Sequence, residues 1–586
     1  MPQAFVQNLR EDLLSTTGNG FAFPKLTTAQ RLAVPLSAAY EGVMVYDLDL
    51  NNVFLWTGSA WESVPASGDS ADRQIIFNNN GVLAGDPNLR FLTAPSRLLQ
   101  LRQGLYIGRS WTDNPGDAQN IIVGGDGDGA VDPTLGLGAT SAGLIAIGDG
   151  VMAGQQVTGD YNIGIGQSAL YNLGAGTFNI ALGYGALAVN SGGTANVAVG
   201  ANALSLLNAT GTPGNVAVGH ESQQFVTTGT FNTSVGYRAN RGGANSSGTY
   251  NTVVGYNAAA NITTGSFNTI FGAISTNITT GNSNCLFGQG AGAQLTTQAN
   301  NVLLGTNAGG ALAGATGSNV FVGVAAGLSA TVASNAVLVG MNAGRNVTDL
   351  GNNQTFVGAE AGRYVTSSNG NTLFGYSAGS GRAAGDGPGL RNTAIGRNAL
   401  WQGTATAAEN VAVGGDAMGN LGTFDRRHSG AYNVVIGTSA LRGPSVAGTT
   451  SGDGNVAMGY QALHVSETCD YNVAIGYQAA VLATTASSNT LVGPVVAPNL
   501  TTGASNVLLG HSAGTGLTTG NNNICIGRSA TTSGAAATNE LSIGSAVNYV
   551  ATNGGATTYF ATAGASLGYI QLRLNGAAVK IQVFAP

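Results

Sequence analysis

Apolar and polar positions along the middle of the chain repeat a five-residue phrase: Asn, an apolar residue or Thr, a small or apolar residue, an apolar residue, Gly. The Asn slot runs through Asn162, Asn179, Asn196 and Asn215 and onward to Asn319, in steps mostly of seventeen and sometimes of sixteen to nineteen, and then continues to Asn523. Ala336, Gln354 and finally Glu540 hold the slot without being Asn, and the register survives them. Weaker copies lead in, NIIVG at Asn120 and LIAIG at Leu144, for about two dozen in all. A short fixed period means one coil per repeat, each stacked on the last. The phrase fits a short strand that ends in a turn, with Gly supplying a positive φ. The predicted fold is all-β: a parallel β-solenoid of β-roll-like coils of about 17 residues, with small β modules at both ends. At about 4.8 Å per stacked strand, about 24 coils make a rod on the order of 110 Å.

Two features of the phrase bear on assembly. Asn in every coil either stacks into an amide ladder or makes a local turn bond to its own backbone; the sequence leaves both open. The second and fourth positions, such as Ile163 with Ile165 and Val302 with Leu304, share one strand face and are expected to fill the coil. The third position lies on the opposite face, yet it is also apolar: Ala181 and Ala198, then Val253, Ile270, Leu286, Leu303 and Phe321. A strand apolar on both faces is buried on both, and a thin coil buries only one. The other face therefore calls for further copies of the chain, and a closed homotrimer is the simplest symmetric solution.

Composition agrees with turns and strands. Glycine numbers 92, charged residues are 8% and hydrophobic residues 43%, so the chain is neither disordered by composition nor, without a Gly-X-Y triplet, collagen-like. A net charge of −6 gives no basic field for nucleic acid. Cys285, Cys469 and Cys525 are odd in number and widely spaced, so they are expected as small apolar fillers. The start MPQAFVQNLREDLL has neither the basic nor the apolar region of a secretory signal, and no apolar run reaches membrane-spanning length.

The repeats NVAVGANAL, NVAIGYQAA and NIALGYGAL resemble the head repeats of trimeric autotransporter adhesins, and related repeats occur in phage tail fibres. The coil here is a few residues longer than in those adhesins. The flanks are similar to phage fibre modules. KLTTAQRLAVPLSAAYEGVMVYDLDLNNVFLWTGSAWESV reads as a β-meander over Val43–Tyr46, Val53–Trp56 and Trp61–Val64. QIIFNNNGVLAGDPNLRF resembles a fibre connector that turns at Asn80-Gly81, and GYIQLRLNGAAVKIQVFAP a closing hairpin around Asn575-Gly576. The resemblance implies residues 1–70 as an attachment module, 71–103 as a connector, 104–544 as the solenoid shaft and 545–586 as cap and trimerisation segment. It also implies a homotrimeric tail fibre, made in the host cytoplasm and carried on the virion. Such a fibre joins tail or baseplate proteins through its N-terminal region and adheres to a receptor on the host surface. The alternative is a bacterial surface adhesin or the fibre of a phage-like injection device. A third class, an ice-binding solenoid, needs Thr aligned in every coil, and the TTG turns are irregular.

Candidate chemistry is sparse, and no enzyme, cofactor or metal is expected. GYSAG from Gly375 and GHSAG from Gly510 match a nucleophile elbow, but both are the repeat's own step with Ser in it. His220 and His511 share one lattice position after the repeat Gly, a surface slot. Asp126, Asp128 and Asp132 sit together in a loop, as a solvated turn or a Ca²⁺ site. The period breaks at Asn371–Asn392, Asn410–Asn433 and Asn433–Asn455, which carry four to six extra residues. Charges gather there: Arg382, Asp386 and Arg391, then Asp425, Arg426, Arg427 and His428, then Asp453. Insertions in solenoids become loops on one face, here either solubilising or receptor-contacting. Beyond Gly544 the chain gains Tyr549, Tyr559, Phe560, Tyr569 and Phe584, suited to a cap or a binding tip.

Overall fold

The computed structural model describes residues 25–64 apart from 35, 37–42 and 51, the strands between 72 and 123, and 142–584. Short stretches at 155, 274–277, 315–316, 366–368, 384–386, 420–425, 444–447, 546–547, 554–556, 561–565 and 575–576 are excepted, and 72–110 and 545–584 are described as backbone alone. The chain divides into two units, Met1–Phe231 and Asn232–Pro586.

The first unit begins with a four-stranded sheet: β1 (Lys25–Leu26), β2 (Met44–Asp47), β3 (Asn52–Trp56) and β4 (Trp61–Ser63), in that spatial order. The three later strands are the meander expected from the sequence, and β1 adds to it in parallel. Between β1 and β2 lies a short helix, α1 (Thr28–Leu32), which the strand pattern did not signal. Thr27 and Gln30 form a capping box at its start. Its Arg31 is buried against Asp47 of β2, with Nε to Oδ2 at 2.7 Å. The guanidinium lies 3.6 Å from the Phe54 ring centroid, a cation–π contact that ties helix, β2 and β3 together. Four antiparallel strands follow: β5 (Asp72–Asn79), β6 (Val82–Leu92), β7 (Ser96–Leu101) and β8 (Leu105–Ser110). Asn79 pairs with Val82 at the end of the β5–β6 hairpin; the expected turn residues Asn80 and Gly81 lie outside the described residues.

Each repeat forms one coil. In the first unit Ile163–Ile165 pairs in parallel with Ile180–Leu182, then Val197–Val199, then Val216–Val218, each residue opposite its equivalent. The second unit continues the same scheme from Thr233–Val235 to the Leu541–Ser545 strand, where Ile524 meets Leu541 and Ile526 meets Ile543. The parallel stack then changes character: Leu541–Ser545 pairs antiparallel with Asn548–Asn553, and that strand with Thr557–Phe560. The last two strands, Ser566–Leu574 and Ala577–Phe584, are the expected hairpin.

One expectation is reversed. The third position, not the second and fourth, fills the coil. Gly164 apart, it is occupied by residues such as Ala181, Ala198, Ile270, Leu303 and Phe321, all 0% exposed. The second and fourth positions point outward and are half-buried or exposed. The reason is room. Across the narrow coil the third position meets a turn wall, built from the residues after the repeat Gly, and the pair shares one small volume. Where the strand supplies Ala181, Ala198 or Ala457, the turn wall supplies Leu187, Leu204 or Leu463. Where the strand supplies Leu303, Phe321, Leu338 or Phe356, the wall supplies Gly309, Gly327, Gly344 or Gly362. Large residues alternate sides so that packing stays dense.

The Asn slot resolves as a buried ladder. Asn179 Nδ2 donates to Asn162 Oδ1 (2.9 Å), and the Asn179 backbone N–H donates to the same oxygen (3.0 Å). Nδ2 also reaches the Gly193 carbonyl of the next coil (2.9 Å). The pattern repeats at Asn251, Asn268 and Asn284, and from Asn472 to Asn523. Local turn bonds coexist with it, as from Asn162 Nδ2 to the Asp160 carbonyl. Glu540 closes the series: its N–H donates to Asn523 Oδ1, and its carboxylate turns aside to accept from Ser533.

Candidate functional site

The largest unusual feature of the coils is their outward strand face. At its second and fourth positions stand Ile, Val, Leu, Thr, Phe, Met and Cys285; among the described coils none is charged. Phe374 is 55% exposed, and Ile165, Ile395 and Ile526 are 36–40% exposed. The residues flanking each strand extend the apolar strip. Tyr161 stacks on Phe178 (5.2 Å between centroids) and Tyr250 on Phe267 (5.0 Å) just before the Asn slot. Tyr237 stacks on Tyr256 and Tyr460 on Tyr477 just after the Gly. Stacked rings follow from in-register coils, which place like residues one strand spacing apart. Charges enter only at the edges, where Arg391 and Glu409 of neighbouring coils bond at 2.9 Å. A contiguous apolar sheet face marks a protein–protein contact. Both faces were legible as apolar; which one looks outward was not.

The candidate loop residues whose side chains are described do not form one surface. Arg382 is exposed. Arg391 stands in the strand-face edge just described. His428 is buried at 3%, and Nδ1 meets Thr450 Oγ1. Asp453 is a rung of a second polar ladder: Oδ1 accepts from the Ala431 N–H (2.7 Å), and its own N–H donates to Asp470 Oδ1 (2.8 Å). Asp386 and Asp425 lie outside the described residues, and Arg426 and Arg427 are described as strand backbone alone. The inserted segments nevertheless pair. Arg426–His428 runs parallel to Gly448–Thr450, with Arg427 opposite Thr449. The His428 N–H donates to the Gln402 carbonyl, and the His428 carbonyl accepts from the Thr404 N–H. The described inserted strands thus extend the coil wall. The repeat strands of these coils keep their parallel register, so the strand face is uninterrupted.

The inserted coils also change the core. His428, Thr450 and Ser466 are buried where Val365, Leu500 and Leu517 stand in other coils. A small cavity lies among Met418, His428, Leu441, Thr450 and Ser466. The sequence signal was a polar residue at a normally apolar corner, hidden by the change in spacing.

The remaining candidates lie apart from these. His220 and His511 are exposed, as their shared slot implied. Ser512 Oγ is 3.0 Å from Nδ1 of the preceding His511, while Ser377 is buried in its turn. Asp126, Asp128 and Asp132 lie outside the described residues, among which no cluster of metal-binding side chains occurs. Tyr549, Tyr559, Phe560, Tyr569 and Phe584 fall on strands described as backbone alone. Cys469 and Cys525 are buried free thiols, and burial pushes both up to about 11, whereas Cys285 lies half-buried on the strand face. The TTG turns also find a role: Thr484 and Thr501 hydroxyls donate to Thr501 and Thr518 carbonyls, coil to coil. No described helix is long and apolar enough to cross a membrane.

In the N-terminal sheet the sequence reading missed the Arg31–Asp47 pair. Burial alone would raise the Asp47 carboxyl. Hydrogen bonds from Arg31, Thr28 and the backbone N–H groups of Leu50 and Asp49 outweigh it and hold the group below the usual carboxylate range. Residues 11–77, which include this sheet, match a family described as "Phage tail like trimerisation region". No curated protein matches the chain. The match and the parallel β-solenoid together fit a phage tail fibre with a repeat shaft, and the trimerisation region supports homotrimer formation.

Proposed function

We propose that the chain is the subunit of a homotrimeric phage tail fibre that adheres to the host surface. In this reading the N-terminal region registers three chains and joins tail or baseplate proteins. The coils form the shaft, with the strand faces of three copies turned toward one another. The observation that carries it is the uncharged strand face, continuous in register within each unit. Burying such a face against copies of itself removes apolar area from water at about 25 cal/mol per Å². The role is mechanical and adhesive, without catalysis, and the turn walls and inserted segments, which leave the strand face intact, supply the surface available to a receptor.

Light scattering on the full-length protein tests the assembly: a mass near three times 58.3 kDa is expected, and a clean monomer would overturn it. Attachment is tested by adding purified protein to host cells before the phage that encodes it. Reduced adsorption is expected; undiminished adsorption at saturating protein would leave a purely structural fibre.

A further inference from the structure

Two arginines on the turn wall of the second unit occupy the same slot of successive coils. Arg345 follows Ala343-Gly344, and Arg363 follows Ala361-Gly362. The backbone holds them in register: the Ser329 N–H donates to Arg345 O (2.9 Å), and the Asn346 N–H to Arg363 O (3.0 Å). Their stems leave the wall about one strand spacing, ~4.8 Å, apart. Like charges in directly stacked positions destabilise a sheet. In the coils before and after, the slot holds Leu328 and Ser380. In a chain with only 21 Lys and Arg, two in one column ask for a reason.

Internal partners supply it only in part. Arg363 Nη1 pairs with Glu360 Oε1 at 3.4 Å. Arg345 has no ion-pair partner among the described residues. The Nε–H of each arginine is shielded from water and meets no acceptor. The resting poses therefore hold unsatisfied donors, and swinging outward to an acceptor sacrifices no hydrogen bond at Nε. Beside them Tyr364 lies with its ring centroid 5.0 Å from the Arg363 guanidinium.

We propose that Arg345 and Arg363 form a clamp for the carboxylates of an acidic polysaccharide. A guanidinium matches a carboxylate with two parallel hydrogen bonds. Two guanidinium forks one coil apart fit a polymer that presents carboxylates repeatedly, and the Tyr364 ring offers an apolar surface to a sugar's C–H face. A bound polyanion relieves the repulsion between the arginines and fills their donors. An anionic membrane fits less well, because the chain as a whole carries −6 and offers a flat anionic surface no broad positive field. The inference rests on the host-attachment reading for the source of the polymer.

The test is binding of polygalacturonate by the full-length protein, with dextran as the neutral polymer. Wild type is expected to bind polygalacturonate and not dextran, with affinity falling as salt rises. R345Q/R363Q should lose at least tenfold in affinity. R345K/R363K, which keeps the charge and loses the fork, should lose severalfold. R241Q, at an arginine whose neighbouring coils carry none in that slot, should bind as wild type. Thermal unfolding of each variant reports whether it is folded; R345Q alone is expected to melt no lower than wild type, since it relieves a like-charge contact. Failure of wild type to bind, equal binding by R345Q/R363Q, or preference for phosphatidylglycerol vesicles over the polymer overturns the clamp. If polymer binding fails while the protein still blocks phage adsorption, the clamp falls and the attachment reading stands.

Discussion

Phe321 and Gly327 face each other across a single coil, and a Cβ added at Gly327 would come within 2.6 Å of the Phe321 ring. Gly327 also has φ 59, where a side chain adds strain. Gly327→Ala is therefore expected to cost about 1–3 kcal/mol through overpacking, with about 1–2 more from the backbone. Phe321→Ala should cost about 3–5 kcal/mol by leaving a cavity. G327L alone should overpack still more, while the double variant F321A/G327L, measured with wild type, F321A and G327L, recreates the pairing that Ala198 and Leu204 make elsewhere. It should be more stable than the sum of the single changes predicts, a coupling that denaturant titration of the four proteins measures. Additive losses would mean that the coil does not trade volume between its walls.

The Asn ladder sets a second expectation. Asn268 accepts from both the N–H and Nδ2 of Asn284 (3.0 Å each), and donates to Asn251 Oδ1 (3.0 Å) and to the Gly281 carbonyl (2.9 Å). Asn268→Ala leaves these buried partners unpaired and should destabilise the coils by about 2–4 kcal/mol, as orphaned buried groups cost about 1–3 each with partial relaxation. Asn268→Asp keeps the acceptor, loses the donor and buries a charge, so it should be at least as harmful at neutral pH. A melting temperature unchanged by either substitution would remove the ladder from the stability of the fold.

These contacts also show what the sequence could convey. The period, the strand at each Asn and the turn at each Gly were legible because they recur at fixed spacing. The pairing of β5 with β6 was legible because the Asn-Gly turn signal between them is local. The direction of the strand was not, since Val302, Leu303 and Leu304 are all apolar and alternation carries no sign. The sign lay in a reciprocity between coils: Leu303 with Gly309, Ala198 with Leu204. Charge misled at the insertions. His428 and Asp453 read as loop residues, but the inserted chain turns the first into the core and makes the second a hydrogen-bonded rung. The Arg31–Asp47 pair joins residues sixteen apart through a helix too short to show periodicity.

Asp47 predicts acid sensitivity of the N-terminal sheet. Its folded-state carboxyl lies below its unfolded value. Its contribution is therefore complete above the unfolded value and is lost as pH falls through the folded one. Lowering the pH below about 4 should loosen this sheet in wild type. Asp47→Asn should flatten that acid limb while lowering stability at neutral pH, as followed by the fluorescence of Trp56 and Trp61, which lie 5.6 Å apart beside the pair. An acid limb of equal steepness in both proteins would assign it to other groups.

The buried thiols act at the opposite end of the scale. Burial raises Cys469 and Cys525 from 9.0 to about 11, so the neutral thiols are retained in the folded coils. Their contribution is intact below the unfolded value and is lost as pH rises from about 9 through about 11. The melting temperature should fall over that range, and less steeply in C469A/C525A. The alanines suit both sites, since Ala486 holds the slot of Cys469 in the next coil and Ala474 the slot of Cys525 in a coil further along the stack. An identical alkaline decline in the variant would show that these thiols ionise without opening the fold.

The strand face separates assembly from folding. Leu304 points outward beside Val322, whereas Leu303 points into the coil and is 0% exposed. If copies of the chain cover the outward face, Leu304→Glu places a carboxylate in an apolar interface, and several kcal/mol of desolvation fall on association. The coil itself should tolerate the change, because the side chain has water beside it in an isolated chain. L304E, with V302E and L338E as companions, should therefore divide by orientation. The two outward variants are expected to weaken or disrupt the trimer in light scattering while keeping β-sheet circular dichroism. L338E, inside the coil, should unfold its neighbourhood in any assembly state. Cys285 supplies an independent readout on the same face: its thiol should react slowly in the trimer and quickly in dissociated L304E. A fully trimeric L304E with an open, reactive Cys285 would place the intersubunit contact elsewhere on the coil.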